Sequence, residues 1–530
     1  MAILINNIKI SINQTTEDAF AKAMKAARLK KDEIESITIS KSSVDARKQD
    51  DIKIVMSVVI KAKVNEEVAV SKANSNDVKY CKSQNFQIQQ GTEKLETRPV
   101  VVGFGPSGMF SALLLAKKGY KPIVIERGSK IDERVGFVKN FWENAVLNTE
   151  TNVQFGEGGA GTFSDGKLTT RISDERCSFV LEEMVRFGAT EDILTKAKPH
   201  IGTDKLRLIV KNIREEIISL GGEVRFNEKL LDIKLSENKV KSVVTTKDEI
   251  PCENVILAIG HSARDTFEML CQKEIFMEPK GFSVGVRIEH LQEDINFGLY
   301  GKHKNHEALP VGEYQLSKRI DGRGVYTFCM CPGGFVVPSA SEENTVVTNG
   351  MSEYNRSQKN ANAAVVVEVN PKDFGNGILD GVNFQRRLEK AAFLNNTACY
   401  KAPVQTVGKF INDQVGAEIK RVQPSYEIGV KDGSFKDIFP SFVTEMMKIG
   451  IKDFGRKIKG YDADDALMTG VETRTSSPIR ITRGGDMQSI SVQGLYPSGE
   501  GAGYAGGIMS AAVDGLRVAQ TIIERYAPME

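Results

Sequence analysis

The stretch Arg98–Arg127, RPVVVGFGPSGMFSALLLAKKGYKPIVIER, constrains this chain more than any other. The β-branched run Val100-Val101-Val102 leads into Gly103-Phe-Gly105-Pro106-Ser107-Gly108, a helix-forming run from Met109 to Lys117 stops before Gly119, and Ile123-Val124-Ile125 ends on Glu126. This pattern predicts strand, glycine turn, helix, strand, a βαβ unit of the kind that binds a dinucleotide. Gly103 permits the sharp turn. Gly105, lacking a Cβ, lets the backbone approach a pyrophosphate, and Gly108 lets helix and strand pack closely. Pro106 and Ser107, within the turn, are grouped with the glycines as cofactor-binding candidates, and the helix that follows turns unpaired N–H groups and a positive dipole end to the phosphates. Glu126 lies 18 positions beyond Gly108, where a carboxylate accepts both hydroxyls of an adenosine ribose and repels a 2′-phosphate. Arg127 is grouped with it.

A chain of 530 residues exceeds one ordinary core and predicts roughly two to four domains. The sequence is 41% hydrophobic and 26% charged with a net charge of +2. It therefore reads as globular, with no nucleic-acid or membrane partner expected. The N-terminus MAILINNIKISINQ has no signal-peptide core, and no apolar run approaches the ~20 residues of a bilayer span. Seven scattered cysteines suit a reducing cytoplasm, and the absence of CxxC removes zinc-ribbon and thioredoxin-type sites, so no metal is expected.

Residues 1–95 read as a small βαββ domain followed by a linker. Strands are expected at Ile3–Ile12, Ile37–Ser40 and Ile52–Val64, a helix at Thr16–Leu29, and a polar linker with some local structure from Asn65 to Glu96. The Val44–Lys48 patch between the later strands is a ligand or partner contact, or a charged hairpin turn. Residues 96–265 form the first part of the nucleotide-binding domain. Within them, Phe155-Gly-Glu-Gly158-Gly159-Ala160-Gly161-Thr162-Phe-Ser-Asp-Gly-Lys-Leu168 is too glycine-rich for a helix or packed strand, and is expected as a loop covering the cofactor. Its GxxxxGK match is followed by Leu168 instead of Ser or Thr, which removes the P-loop reading. Glu253 to Gly260 predicts a buried parallel strand with Gly260 at the ligand edge.

Residues 266–470 break the βαβ pattern and read as an inserted α+β domain. Strands are expected at Phe282–Ile288, Val325–Cys331, Gly334–Val337, Thr345–Val347 and Ala363–Val369, and helices at Phe384–Leu394 and around Phe442–Ile449. The Cys329-Met330-Cys331 pair on a strand points both thiols to one face, as a reactive-thiol site or as two buried cysteines. Residues 471–530 return to the nucleotide-binding domain, with Gly499-Glu500-Gly501 and Gly506-Gly507-Ile508 before a last amphipathic helix.

Together these features resemble the glutathione-reductase-type FAD-binding fold. The strings FGEGGAGTFSDGKLTTR, SVGVRIEH, YTFCMCPGGFVV, GVETRTSSPIRI and GLYPSGEGAGYAGGIMSAAVDGLRVA are similar to a bacterial family of FAD-dependent, or NAD(FAD)-utilising, dehydrogenases with a characteristic C-terminal domain and a poorly defined substrate. The resemblance implies FAD, a cytoplasmic protein and a redox role. The CxxxxC disulfide of glutathione reductase is absent, since the corresponding loop carries Gly158 to Gly161. No second strand–GxGxxG–helix unit for a nicotinamide is visible, so NADH or NADPH is only a candidate donor, visiting the inserted domain's cleft.

The expected function is an FAD-dependent oxidoreductase acting on a small molecule, with hydride passing through flavin N5. Gly103, Gly105, Gly108 and Glu126 would hold the ADP half, Gly159 to Thr162 and Gly260 the middle, and Glu500 to Gly507 the flavin end. Catalytic candidates are Arg287, Arg474 and Ser476 for an anionic substrate, and Cys331 and His290 for thiol or proton chemistry. The alternatives are an FAD-binding scaffold or redox sensor acting through the N-terminal domain, and an FAD-dependent RNA-modifying enzyme, which the near-neutral charge disfavours.

Overall fold

The computed structural model describes residues 2–81, 87–395 and 397–529. The chain is mixed α/β. The Arg98–Arg127 unit forms as expected, with strand Val100–Val102, helix Pro106–Lys117 and strand Ile123–Ile125. These strands sit in a five-stranded parallel sheet ordered Leu495–Pro497, Val255–Leu257, Val100–Val102, Ile123–Ile125, Glu223–Arg225. Helices cover it, so its inner strands are apolar on both faces instead of alternating. All three residues of each of the four strands other than Glu223–Arg225 are buried. The helices Pro106–Lys117 and Ile508–Arg525 pack on one face, where a Cβ at Gly515 would meet the Ser107 carbonyl oxygen at 2.1 Å. The expected strand ending in Gly260 is Val255–Leu257, paired in parallel with Val100–Val102.

A second, seven-stranded sheet runs Ser317–Ile320, Arg323–Cys331, Asn360–Val369, Phe282–Leu291, Leu467–Glu472, Ala402–Thr406, Val430–Asp432. Its pairs are antiparallel except the last. Its core includes Val284, Val286, Ile288, Val365 and Val367, all fully buried, under helix Ser441–Lys457. The strand expected at Thr345–Val347 is irregular chain, and the strand lies at Thr348–Met351. Leu467–Glu472 was not expected as a strand, because its LMTGVE run is short and glycine-broken.

The N-terminal unit is larger than the expected βαββ. Strands Ala2–Ser11, Ile34–Asp45 and Lys53–Ala62 are joined by helix Glu66–Ala73 and strand Val78–Cys81. The four strands form one sheet in the order Ile34–Asp45, Lys53–Ala62, Ala2–Ser11, Val78–Cys81. The first part of the expected linker is therefore structured. Asn65 caps the helix by accepting from the Glu67 and Val68 N–H groups, and Val78 is buried against the sheet. Residues 82–86 of that expected linker lie outside the described residues. The edge strand Ile34–Asp45 meets the rest of the chain where Ser42 N–H donates to the Thr195 carbonyl (2.7 Å) and Ala197 N–H to the Ser42 carbonyl (2.8 Å), and where Val44 packs in a cluster with Tyr300. In the Val44–Lys48 patch, Arg47 is bonded to Asp45, as in a charged hairpin turn.

Candidate functional site

The carboxyl ends of the parallel strands open into a cavity of about 760 Å³, within the ~300–1,000 Å³ range of ligand sites. The walls are the Gly103–Ser107 turn, the glycine-rich loop, Ala258–Ala263, Glu500 and Gly506–Ile508, with Thr327–Met330, Asn349 and Glu472 from the second sheet opposite. Two helix N-termini face this space, Pro106–Lys117 and Ile508–Arg525. Their N-caps are Gly105 and Gly507, so neither has a side-chain cap, and the first-turn N–H groups stay available to a ligand. A Cβ at Gly260, Gly506 or Gly507 would meet nothing within 4 Å, and one at Gly105 only the Gly159 Cα at 3.7 Å. The glycines thus leave a trough of backbone that side chains would fill. This geometry fits a dinucleotide with a pyrophosphate at the first helix and an electron-rich ring at the last.

Of the expected cofactor residues, Gly103, Gly105, Pro106, Ser107, Glu126, Arg127, Gly159, Ala160, Gly161, Gly260, Glu500, Gly506, Gly507 and Ile508 line this cavity. Gly108, Gly158, Thr162, Gly499 and Gly501 stand behind its wall. A Cβ at Gly108 would lie 1.9 Å from the Gly103 carbonyl oxygen, one at Gly158 2.1 Å from the Thr162 hydroxyl, and one at Gly501 2.5 Å from the Gly260 carbonyl oxygen. The Thr162 carbonyl accepts from the Thr203 hydroxyl at 2.7 Å, and Gly499 N–H donates to Asp514 at 2.7 Å.

Glu126 does more than the sequence suggests. Its Oε2 accepts from Phe104 N–H at 2.8 Å, and its Oε1 from Gly128 and Gly156 N–H at 2.9 Å each. The carboxylate therefore ties the first glycine turn to the glycine-rich loop while still facing the cavity. Behind that loop lies Arg134, fully buried. It donates to the carbonyls of Asn152 (2.9 Å), Val153 (2.9 Å), Gly156 (3.2 Å) and Glu157 (2.6 Å). A loop with few side chains is held here by one guanidinium bonded to four carbonyls. Nothing in the local spacing marked Arg134, because its partners follow it by 18 to 23 positions. Arg127 bonds Glu150 at 2.7 Å and Asp265 at 2.9 and 3.0 Å, and stacks on Phe155.

Glu500 faces the cavity from the start of the last glycine turn. Burial pushes its carboxyl up to about 7, with the nearby Lys280 charge opposing the rise. Lys280 is itself pushed down by burial and by Arg480. Glu500 therefore exchanges a proton near neutrality, as a group serving proton transfer should. A raised carboxyl binds its proton more tightly folded than unfolded. Its contribution to stability is complete below about 4.5 and is lost as pH rises to about 7. We expect the thermal midpoint of the FAD-free protein to fall across that window more steeply than that of Glu500→Gln. Parallel profiles would show that Glu500 titrates normally.

The expected catalytic set needs correction. Arg287 is fully buried and does not line the cavity. It pairs with Glu472 at 2.8 and 2.9 Å and bonds the Cys329 carbonyl, Asn349 and Asn362, so no donor is left for a substrate anion. Arg474 does reach the cavity, but its fork is taken by Glu389 at 3.0 Å on both sides and by Ser262 and Ser341. Ser476 lies off the cavity and accepts from Lys280 at 3.3 Å. His290 is a core residue, its Nε2 2.6 Å from the Tyr461 carbonyl and its ring against that of Tyr461; burial pushes its pKa down and keeps it neutral. Cys331 is fully buried, and the cavity-lining thiol is Cys329. The reason is a bulge between Phe328 and Cys331, with Cys329 at φ +42°. It breaks the alternation on which the sequence expectation rested.

Several lining residues escaped the sequence reading. Lys167, Asp165 and Glu313 line the cavity and form an ion cluster with Arg356, which stands behind its wall. Asp165 binds Arg356 at 2.6 and 3.0 Å and also Lys167, and Glu313 binds Lys198 at 2.9 Å. Thr169, Thr170 and Arg171 are exposed at the cavity mouth. His261 hydrogen-bonds Ser262 at 2.9 Å, and burial, with Arg474 and Arg264 beside it, pushes its ring pKa down to about 3. Asp165, Lys167 and Thr169–Arg171 lie in the glycine-rich string and its continuation, and His261 follows Gly260, but Glu313 and Arg356 join them from distant segments with no spacing to mark them. Among the described residues no group of three or more His, Cys, Asp or Glu side chains is placed to hold a metal.

Residues 281–475 match the model of the FAD-dependent protein, C-terminal domain-like family, and residues 2–61 match a domain of unknown function. A protein from Clostridium beijerinckii, described as uncharacterized, is 50% identical over 530 residues, 99% of both chains. The chain belongs to a family of FAD-dependent proteins. The matched C-terminal domain supplies the second sheet and the Thr327–Met330 wall of the cavity. Some solved structures of other proteins show a weak likeness to this chain. Glycine oxidase from Bacillus cereus shares 10% identity over 82% of this chain and 99% of its own, with a TM-score of 0.33. L-Proline dehydrogenase from P. horikoshii shares 13% over 81% and 94%, with a TM-score of 0.30. Scores this low establish neither a shared substrate nor a shared arrangement. No helix among the described residues is long and apolar enough to cross a membrane.

Proposed function

We propose that this chain is an FAD-dependent oxidoreductase built on a glutathione-reductase-type FAD-binding arrangement and acting on a small molecule in the cytoplasm. The observation that carries the reading is the pair of uncapped helix N-termini, at Pro106 and Ile508, facing one glycine-lined cavity at the carboxyl edge of the parallel sheet. Gly103–Ser107, Glu126 and Arg127 take the ADP half, Gly159–Gly161 and Gly260 the middle, and Glu500 with Gly506–Ile508 the ring end.

FAD, when bound, supplies two-electron hydride chemistry at its N5. The chain's residues set the conditions for it. The dipole of helix Ile508–Arg525 stabilises negative charge at the ring end. Glu500 holds or releases a proton at its carboxyl near neutrality. Neutral His261 and its partner Ser262 add hydrogen-bonding capacity without charge. The second sheet excludes water from the opposite face, and Thr169–Arg171 border the opening through which a substrate enters.

The test is the anaerobic visible spectrum of the purified protein before and after NADPH and then NADH. A flavin band that bleaches within about a second, at or above the slow end of the usual turnover range, makes it a nicotinamide-driven reductase. A persistent band turns the search to an organic reductant. Absence of the band, with none restored by added FAD, removes the proposal.

One observation favours the sensor reading. The Ser42 hydrogen bonds tie the N-terminal sheet to Thr195–Ala197, next to Lys198 and Pro199 of the cavity wall. Proline is tolerated on an edge strand, so Ser42→Pro removes the donor to Thr195. Sensing requires its bleaching rate or FAD affinity to differ from wild type, and identical values count against it.

A further inference from the structure

The Arg323–Cys331 strand carries two thiols that the proposed function does not use. Its bulge turns Cys329 toward the cavity and leaves Cys331 buried directly behind it. The Cys331 thiol donates to the Cys329 carbonyl oxygen at 3.3 Å. Both are free thiols. Two fixed cations surround them. Arg287 bonds the Cys329 carbonyl at 2.7 Å, and Lys167 bonds the carbonyl of the intervening Met330. Asp165, Glu313 and Glu472 balance these charges.

We propose that Cys329 and Cys331 are a redox-active dithiol that reduces low-molecular-weight disulfides entering the cavity, with Cys329 the attacking thiol and Cys331 the resolving one. The inference rests on the flavin reading of the cavity for its source of electrons. Three features separate the roles. Cys329 is reachable and Cys331 is not. The neighbouring Cys331 side chain, together with the Arg287 and Lys167 charges, pulls the Cys329 thiol down, whereas the neighbouring Cys329 and burial push Cys331 up. Attack falls to the thiolate, and the thiol kept protonated waits.

The steps balance. The Cys329 thiolate attacks one sulfur of R–S–S–R, a Cys329–S–S–R bond forms, and the expelled thiolate takes a proton from solvent. Cys331 then loses its proton and attacks the Cys329 sulfur. The Cys329–Cys331 disulfide closes and the second RS⁻ leaves, to be protonated in turn. One external disulfide becomes two thiols and the protein dithiol becomes a disulfide. The protein disulfide returns to the dithiol by accepting two electrons and a proton from reduced FAD and a second proton from solvent.

The test uses the full-length FAD-bearing protein, pre-reduced, freed of reductant under anaerobic conditions and exposed to oxidised glutathione at neutral pH. Free thiols are then alkylated and the peptides mapped by mass spectrometry. The expected result is a Cys329–Cys331 link in the wild type, a glutathione adduct on Cys329 in Cys331→Ser, and neither in Cys329→Ser. Alkylation of Cys329 should outpace that of Cys331 by roughly tenfold or more, as thiolate character dictates. The proposal is overturned if both thiols stay free in the wild type, or if glutathione remains on Cys329 there without the link closing. The wild-type result stands even where a variant fails to fold. The flavin band of the same sample reports separately on the cofactor, so loss of one reading is distinguishable from loss of the other.

Discussion

Replacing Glu389 by alanine should destabilise the protein by about 3–5 kcal/mol, the usual result of removing one partner from a buried ion pair. Glu389 lies on helix Asp380–Leu394 and is fully buried. It accepts from Arg264 at 2.8 and 2.9 Å, from Arg474 at 3.0 Å on each oxygen, and from the Thr473 hydroxyl at 2.7 Å. Alanine leaves two desolvated guanidinium groups facing a void. Because Arg474 and Ser262 reach the cavity, cofactor retention should fall as well. Denaturant unfolding of Glu389→Ala and Glu389→Gln beside the wild type checks this, and a change under 1 kcal/mol would show the cluster to be dispensable. The pH dependence has a definite sign. Burial pushes Glu389 upward, but the Arg264 and Arg474 charges outweigh it and hold the carboxyl well below its usual range. The stability it adds is complete above about 4.5, its ordinary value. It is lost only as pH falls through the depressed folded value. The gap between wild type and Glu389→Gln should therefore be flat near neutrality and close only in strong acid.

The second large effect is expected at Gly105. A Cβ there has no closer neighbour than the Gly159 Cα at 3.7 Å, and Gly105 has an ordinary φ of −77°, so Gly105→Val should fold. Its methyl groups would occupy the space before the Pro106–Lys117 helix that the phosphates need. Overpacking of this kind costs about 1–3 kcal/mol, or a roughly five- to 150-fold weaker affinity for the proposed FAD. Gly108→Ala is the contrast, because its Cβ would sit 1.9 Å from the Gly103 carbonyl oxygen and should damage the fold itself. Flavin absorbance per mole of protein, read with the thermal midpoint, separates the two. A Gly105→Val protein that keeps full flavin content would displace the pyrophosphate from this turn.

The five-stranded parallel sheet was readable because its signals are local. Val100 to Glu126 carries strand, turn, helix and strand within one short window, and each glycine has a distinct steric reason. The same holds for the Val255–Leu257 strand and the glycine turns around Glu500. The catalytic candidates failed for the opposite reason. Arg287, Arg474 and His290 looked available because their partners Glu472, Glu389 and Tyr461 lie 85 or more positions away. Burial then forces such groups to pair. Cys329 was passed over for Cys331 because alternation along a strand assumes no bulge. The helix and strand between Asn65 and Cys81 were read as linker because Glu66–Ala73 is short and carries three charged residues among its eight. Its packing face is little more than Ala69 and Ala73.

The cavity wall has a genetic consequence. Ordinarily a bulky substitution can be rescued by trimming the side chain it strikes. At Gly501 the atoms struck belong to the Gly260 main chain, at Gly108 the nearest is the Gly103 carbonyl oxygen, and at Gly515 they belong to the Ser107 main chain. The struck atoms there are peptide groups, which every amino acid carries. A search for second-site suppressors of lesions at these positions should return revertants to glycine and few compensating changes, whereas lesions at Glu389 should yield suppressors among the arginines it neutralises.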